Sequence, residues 1–258
     1  MLGHLHRQLV QISREDTPVA EVYGAAPRGI RDARTAVSGA RFHCPICNGW
    51  FLHFLPFGLN QRRHAKCPRC GSLERHRFLW LYLRDQMHLT RRRASVLHVA
   101  PEIPIQDNLS RLPNLNYATI DLYDPNAAHQ MDLTNLSFDS GKFDVIICSH
   151  VLEHIEDDRS AITEMARVLR SNGRAIILVP VDARREKTYE DSLIIAPSER
   201  LEAFGHPYHV RICGTDYSKR IGNAGFEVKE IFSSTLMPHR RRIHRINKTV
   251  LYDCRRLD

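Results

Sequence analysis

The stretch FDVIICSHVLEHIEDDRSAITEMARVLRSNGRAIILVP, residues 143–180, constrains the fold more than any other part of the chain. Residues 145–148 and 175–179 are unbroken apolar runs, the pattern of parallel strands covered on both faces rather than of a half-exposed sheet. Between them Ile162, Met165, Ala166 and Leu169 recur at helical spacing. Asp157 or Asp158 can accept from the free amides at the helix start, and Asn172-Gly173 offers a left-handed stop. The predicted unit is a right-handed βαβ crossover. Ligands of open parallel sheets sit beyond the carboxyl ends of the strands, so the loop at 149–155, SHVLEHI, is the first candidate for a binding site.

A chain of 258 residues, 43% hydrophobic, can bury one sizeable core and carry one small extra module. No apolar run approaches the roughly 20 residues of a membrane helix, and MLGHLHRQLVQISRED at the N-terminus lacks the apolar stretch of a secretory signal. A cytoplasmic protein without membrane insertion is expected. The net charge of +8 is uneven: through Arg93 there are 16 Lys and Arg against 6 Asp and Glu, which is +10, leaving −2 for the remainder. Such a basic N-terminal third can touch phosphate or nucleic acid, or can simply be a solvated face.

Residues 1–38 are polar, basic and without periodicity, and read as a flexible lead-in. Residues 39–72 hold Cys44, Cys47, Cys67 and Cys70, two C-x2-C pairs separated by 19 residues. That spacing is expected of a four-cysteine zinc site, in a compartment where thiols stay reduced. Gly49 and Gly71, just past each pair, suit the turns such knuckles need, and Arg62, Arg63, Lys66 and Arg69 are near enough to offset thiolate charge. Four thiolates leave no open coordination position, so the zinc is expected to be structural. Trp50, Phe51, Phe54 and Phe57 could form a small core around the knuckles or a face docked on the next domain. Ser72 is a plausible cap for a helix over 72–88, with Phe78, Leu79, Tyr82 and Leu83 at helical spacing.

SVLHVA at 95–100 is the next apolar strand, and the turn after it, APEIPI, lacks the glycines of a dinucleotide fingerprint. NYATIDLYD then places Asp121 at the tip of a second strand, 20 residues past Pro101, where a carboxylate can accept from ribose hydroxyls or can cap its own loop. Asp132 follows a short apolar step and could accept from an exocyclic amine.

The order VLHVAPE, YATIDLYD, MDLTNLSF, FDVIICSHVLEHI, RVLRSNGRAIILVP and AGFEV resembles the class I S-adenosylmethionine-dependent methyltransferases with an LEHI loop, over about residues 78–258. The resemblance implies an α/β fold for residues 73–258: a doubly wound, seven-stranded, mostly parallel sheet, Rossmann-like, following the small zinc-ribbon-like module. Its one antiparallel strand falls at 249–253, beside 227–231. It also implies that His98, Ala100, Pro101 and Glu102 lie along the methionine part of the cofactor. Asp121 and Leu122 then hold the ribose, Asp132 and Leu133 flank the adenine, and Ser149, His150 and His154 line the floor. Where the family usually has an acidic residue and two or more glycines, this chain has HVAPE.

Methyl transfer from a sulfonium demands positioning more than acid–base chemistry, although a histidine within reach of an acceptor hydroxyl helps. The segment 181–217 is long enough to cover the cofactor, and His206 and His209, with Tyr208, Arg211 and Asp216, form its densest polar cluster. His206 and His209 are therefore the catalytic candidates. Arg184, Arg185 and Lys187 could meet an anionic acceptor or form a solvated charge run, and MPHRRRIHRINK at 237–248 could contact phosphates or be only a basic hairpin tip. Cys148, Cys213 and Cys254 read as core residues. The expected activity is methylation of an oxygen or nitrogen of a small-molecule or carbohydrate-like acceptor. The alternatives are an RNA methyltransferase whose zinc module meets RNA, and a cofactor-binding scaffold without catalysis.

Overall fold

The computed structural model describes residues 38–257, so the lead-in expected at 1–38 lies, but for Ser38, outside the described residues. Two antiparallel hairpins come first. Strand β1 (Ser38–Cys44) pairs with β2 (Gly49–Phe51), and β3 (Leu55–Phe57) pairs with β4 (Arg62–Lys66). Cys44 and Cys47 stand at the turn of the first hairpin, and Cys67 and Cys70 follow the second. Phe51 and Phe54, with Phe42, are buried in one cluster that continues into the next domain through Phe78 and Leu79, whereas Trp50 is 47% exposed.

Helix α1 (Glu74–Leu81) leads into the larger unit and passes into a π-helical turn over Tyr82–Gln86. Ser72 does not cap it. The Ser72 hydroxyl lies 3.2 Å from both Cys44 Sγ and Cys70 Sγ, while His76 Nδ1 reaches back to accept from the Leu73 amide at 3.2 Å. Phe78, Leu79, Trp80, Leu81, Tyr82 and Leu83 are all buried. A helix buried on every side lies between two layers, here the cysteine module and the sheet.

The remaining elements are β5 (Ala94–Val99), α2 (Ile103–Leu109), β6 (Leu115–Asp121), β7 (His129–Gln130), β8 (Phe143–Ser149), α3 (Asp158–Val168), β9 (Leu169–Leu178), β10 (Tyr189–Glu190), α4 (Pro197–Phe204), β11 (Arg211–Ile212), α5 (Tyr217–Gly222), β12 (Phe226–Phe232), α6 (Pro238–His244) and β13 (Val250–Arg256). Seven strands form the central sheet in the order β12-β13-β9-β8-β5-β6-β7, with β13 antiparallel to both its neighbours and every other pairing parallel. The fold is the expected doubly wound, Rossmann-like, mostly parallel sheet.

The unbroken apolar run of β8 has a simple cause. Ile146 and Cys148 enter the core shared with α3 and α5, while Val145 and Ile147 enter the opposite core, shared with α1, α2 and the cysteine module. Successive side chains of a strand point to opposite faces, so two buried faces need two apolar sets. Asp157 caps α3, accepting from the Ser160 amide at 3.0 Å. The helix ends at Val168, one residue before Leu169 opens β9, and Asn172 takes the left-handed conformation inside that strand's irregular start (φ 62°). The segment expected as a basic hairpin tip is instead helix α6, which packs on β1: His244 Nδ1 meets the His43 carbonyl at 3.0 Å. Among the described residues, no helix is long and apolar enough to cross a membrane.

The cysteine module is tied to the end of α6 by one buried cation on α1. The fully buried Arg77 donates from Nε to the His244 carbonyl (2.6 Å), from one terminal nitrogen to the Ser72 carbonyl (2.6 Å), and from the other to the Ala65 and Arg245 carbonyls (3.0 and 2.9 Å). Its guanidinium also lies 4.7 Å from the centre of the Phe54 ring. Four carbonyls from three separate segments thus converge on a single side chain.

Candidate functional site

A continuous cleft of about 3370 Å³ runs along the carboxyl ends of β5, β6 and β8. That exceeds the roughly 300–1,000 Å³ of a drug-sized pocket, and leaves room for two ligands. Ala100, Pro101, Glu102, Asp121, Leu122, Asp132, Leu133, Ser149, His150 and His154 all line it, together with His206 and His209. His98 does not. It is wholly buried beneath the cleft, with Nδ1 2.8 Å from the Tyr117 hydroxyl and Nε2 3.1 Å from a Glu102 carboxylate oxygen. His98 therefore positions Glu102 rather than facing the cleft itself.

The glycine-free turn is built by placing Ala100 in the left-handed region (φ 44°), and His150 at the end of β8 does the same (φ 57°). Such conformations are costly for residues with a Cβ and collect at sites where the surrounding structure enforces them. Around this turn several buried polar atoms have no hydrogen-bond partner among the described residues: Arg75 Nε, Glu102 Oε1 and Ser149 Oγ. Burial lowers the Arg75 guanidinium, with Glu102 and Glu153 pulling it back up. Burial would raise Glu102, but the His98 hydrogen bond and the charges of His76, His98 and Arg75 hold it well below the usual carboxylate range.

Asp121 Oδ1 accepts from the Tyr123 and Asp124 amides (2.7 and 2.9 Å), and Asp132 Oδ1 from the Thr134 amide and hydroxyl (both 2.8 Å). Each carboxylate both caps its own turn and is held rigidly at the rim of the cleft.

On the far side, the covering segment is clamped to the SHVLEHI loop. Arg211, grouped by sequence with the polar cluster of this segment, is buried. It donates to the carbonyls of Leu152 (2.5 Å), Ile155 (2.6 Å) and Glu156 (2.8 Å), and pairs with Glu190 at 3.0 Å. Asp158, the carboxylate not used as the helix cap, is also buried and accepts from the Tyr217 hydroxyl (2.7 Å) and from Arg220 (2.6 Å). Asp216 accepts from the Thr188 amide and hydroxyl. Arg211 and Asp216 thus shape the loop.

The clamp brings His154, His206 and His209 together, with ring centres 4.5–5.6 Å apart. Burial lowers His206, and lowers His209 to about 3, so His209 is a neutral imidazole near pH 7 and a weak base. Arg184 is 90% exposed and pairs with Asp182 at 3.0 Å, as a solvated charge does. Cys148, Cys213 and Cys254 are buried free thiols pushed up by burial.

The cysteine module forms the other wall of the same cleft, through Phe57, Lys66, Cys67, Pro68 and Arg69. Its four sulfurs lie within 4.8 Å of one another, with Cys44 to Cys70 at 3.6 Å and Cys47 to Cys67 at 3.7 Å. A disulfide bond is about 2.05 Å, whereas four thiolates at about 2.3 Å from one tetrahedral ion stand about 3.8 Å apart. The donor set fits a metal.

Residues 109–177 match a methyltransferase domain. The methyltransferase-domain match runs from the end of α2 through β9 and includes Asp121, Asp132 and the SHVLEHI loop. No curated relative matches the sequence. Among solved structures, the YcgJ protein of Bacillus subtilis is similar at 15% identity, covering 67% of this chain and 97% of that one, with a TM-score of 0.45. The 1,6-didemethyltoxoflavin-N1-methyltransferase of Burkholderia thailandensis, solved with 1,6-didemethyltoxoflavin and S-adenosylhomocysteine, is 15% identical over 71% of this chain and 87% of that one (TM-score 0.47). The N-methyltransferase NodS of Bradyrhizobium japonicum, solved with S-adenosylhomocysteine, is 16% identical over 71% and 87% (TM-score 0.44).

The sequence reading missed Arg75 and His76, which reach the cleft from α1. Their only signal is the run ERHR at the start of an otherwise apolar helix, where buried charges need a reason.

Proposed function

We propose that the chain is an S-adenosylmethionine-dependent methyltransferase acting on an oxygen or nitrogen of a small-molecule or carbohydrate-like acceptor. The observation that carries this reading is the set of buried polar atoms around the turn after β5 that have no hydrogen-bond partner among the described residues, Arg75 Nε, Glu102 Oε1 and Ser149 Oγ, with Glu102 Oε1 also 3.6 Å from His76 Nε2. Buried polar groups without partners are costly, and a cation beside an anion is complementary to an α-amino acid zwitterion. Arg75 would take the carboxylate of the methionine part and Glu102 its ammonium, so the turn does not need glycine amides for that purpose. Asp121, whose Oδ1 is occupied by its own turn, presents Oδ2 to the ribose beside Leu122. Asp132 and Leu133 meet the adenine, and Ala100, Pro101, Ser149 and His150 line the floor. When bound, the cofactor supplies an activated methyl group: the acceptor lone pair forms the new bond to carbon as the carbon–sulfur bond breaks, and the acceptor gives up a proton. The protein's contribution is to hold the acceptor in line and exclude water.

In the same reading residues 39–72 are a zinc-ribbon-like module with one structural Zn2+ on Cys44, Cys47, Cys67 and Cys70, and 73–258 are the methyltransferase domain. Calorimetry of the metal-loaded full chain with S-adenosylmethionine tests the proposal, and absence of binding to folded protein would sink it. Binding without methylation of any acceptor panel would favour a scaffold. Steeply salt-dependent binding to RNA would instead favour an RNA acceptor, with Lys66 and Arg69 of the cleft wall as its contacts.

A further inference from the structure

The cysteine cluster is not the only set of metal-ligating side chains gathered at this cleft. Potential ligand atoms of His154, His206 and His209 also lie within 4.8 Å of one another. We infer that His154, His206 and His209 form a binding site for one divalent first-row transition-metal cation at the acceptor end of the cleft.

Four observations support the site. First, the three imidazoles come from two segments held together by buried contacts: the Val210 amide donates to the Glu153 carbonyl at 2.9 Å, and Arg211 binds the carbonyls of the 152–156 turn. The geometry is therefore built by the fold. Second, His154 is already oriented. Its Nδ1 lies 3.0 Å from the Tyr208 carbonyl, the type of outer contact that fixes the tautomer of a ligating histidine and directs the other nitrogen's lone pair at the metal. His206 Nδ1 accepts from the Tyr208 amide at 3.3 Å, a contact that must open, or yield its lone pair, when His206 ligates a metal. Third, the wholly buried Glu153 precedes His154. Its Oε1 lies 3.1 Å from His150 Nδ1, and its Oε2 has no hydrogen-bond partner among the described residues. A buried carboxylate in that position favours a neighbouring cation. Fourth, all three histidines line the cleft, so a bound ion is reachable from it.

The donor set specifies the chemistry. Imidazoles suit zinc, iron, nickel and copper, whereas magnesium and calcium prefer oxygen ligands. Three protein ligands leave a coordination position for water or for an acceptor atom, and a bound metal lowers the pKa of a coordinated oxygen. That use, holding and activating an acceptor oxygen, rests on the methyltransferase reading; the metal site itself does not.

The test uses the full chain with its cysteine site already filled with zinc, titrated with Co2+ and followed by visible absorption. A second equivalent is expected to bind with nitrogen and oxygen ligand-field bands and without thiolate charge-transfer bands. The double variant His206→Ala/His209→Ala is expected to lose it. If that variant does not fold, His206→Ala alone is expected to weaken cobalt binding by at least about tenfold. Folded wild-type protein that takes no cobalt beyond the cysteine site would overturn the inference, as would undiminished cobalt binding by the folded variant. S-adenosylmethionine calorimetry on the same samples separates the two readings. Cobalt binding without cofactor binding leaves the metal site standing and removes the methyltransferase, and the reverse result does the opposite.

Discussion

Two clusters of metal-type ligands face one cleft and differ in almost every other respect. The cysteines sit two by two in C-x2-C knuckles, with Cys44 and Cys67 buried in the core that runs from the module through α1 to the sheet. The histidines come from a loop at 149–155 and from residues 206–209, and all three are half-buried. Four thiolates close a coordination sphere, whereas three imidazoles leave it open. The comparison teaches that one cleft can gather two donor sets of different coordination capacity on opposite walls. Burial and ligand count distinguish them.

The difference can be broken most directly at the cysteines. Cys67→Ser is expected to cost several kcal/mol, because metal binding in such modules is itself folding free energy. Metal analysis should fall from about one structural equivalent, and thermal unfolding should lose its dependence on chelator. A variant as stable as the wild type would show that the knuckles do not hold a folding metal. His209→Gln, by contrast, should change stability by less than about 1 kcal/mol, as substitutions away from the core usually do.

Arg77 sharpens the comparison from the structural side, since it joins the module to the end of α6 by four carbonyl contacts. Arg77→Met leaves those carbonyls unpaired and should cost about 3–5 kcal/mol in denaturant unfolding. Its near neighbour Arg75 should behave oppositely. Because Arg75 Nε lacks a partner among the described residues, Arg75→Ala should leave stability nearly unchanged yet weaken S-adenosylmethionine binding by about ten- to a hundredfold, the loss of a charge-assisted hydrogen bond of about 1.5–3 kcal/mol. Equal affinity in the variant would remove Arg75 from the site.

The smallest effect is expected far from either cluster. Burial raises Asp144, but the Ser95 amide at 2.7 Å and Arg170 at 2.7 Å outweigh it and hold the carboxyl below its usual value. A depressed folded-state value stabilises above the unfolded carboxylate range and is lost as the pH falls through it. Both partners are about a third or more exposed, so Asp144→Asn should cost under about 1 kcal/mol near pH 7. The gap from wild type should close below about pH 4, as followed by urea unfolding across pH. A gap that widens in acid would contradict the assignment.

Much of the fold was legible because local chemistry is repeated along the chain. The continuous runs in β8 and β9 could only be strands buried on both faces, and the paired C-x2-C spacing needs no tertiary information. The cleft was legible in part. Asp121 and Asp132 follow from strand-tip position, but their double duty as turn caps does not. Strand alternation gives a face, not the depth at which a side chain ends, so it did not reveal that His98 lies beneath the cleft. Ser72 was misread as a helix cap because sequence does not reveal that its hydroxyl is occupied by two sulfurs. Arg211 was misread as part of a polar cluster because a charge in a loop is usually solvated, and only the loop carbonyls it binds account for its burial.

The sequence alone determined the βαβ unit around β8 and β9, the two apolar faces of the sheet there and the paired C-x2-C spacing, since each depends on residues close together in the chain or on a strict period. Tertiary structure alone decided which polar groups meet. Arg75 with Glu102, Arg211 with the SHVLEHI carbonyls, and His154 with His206 and His209 are brought together by packing between distant segments. Contacts of that kind leave no periodic trace, because the chain fixes spacing along itself and only the packed core fixes distance across the cleft.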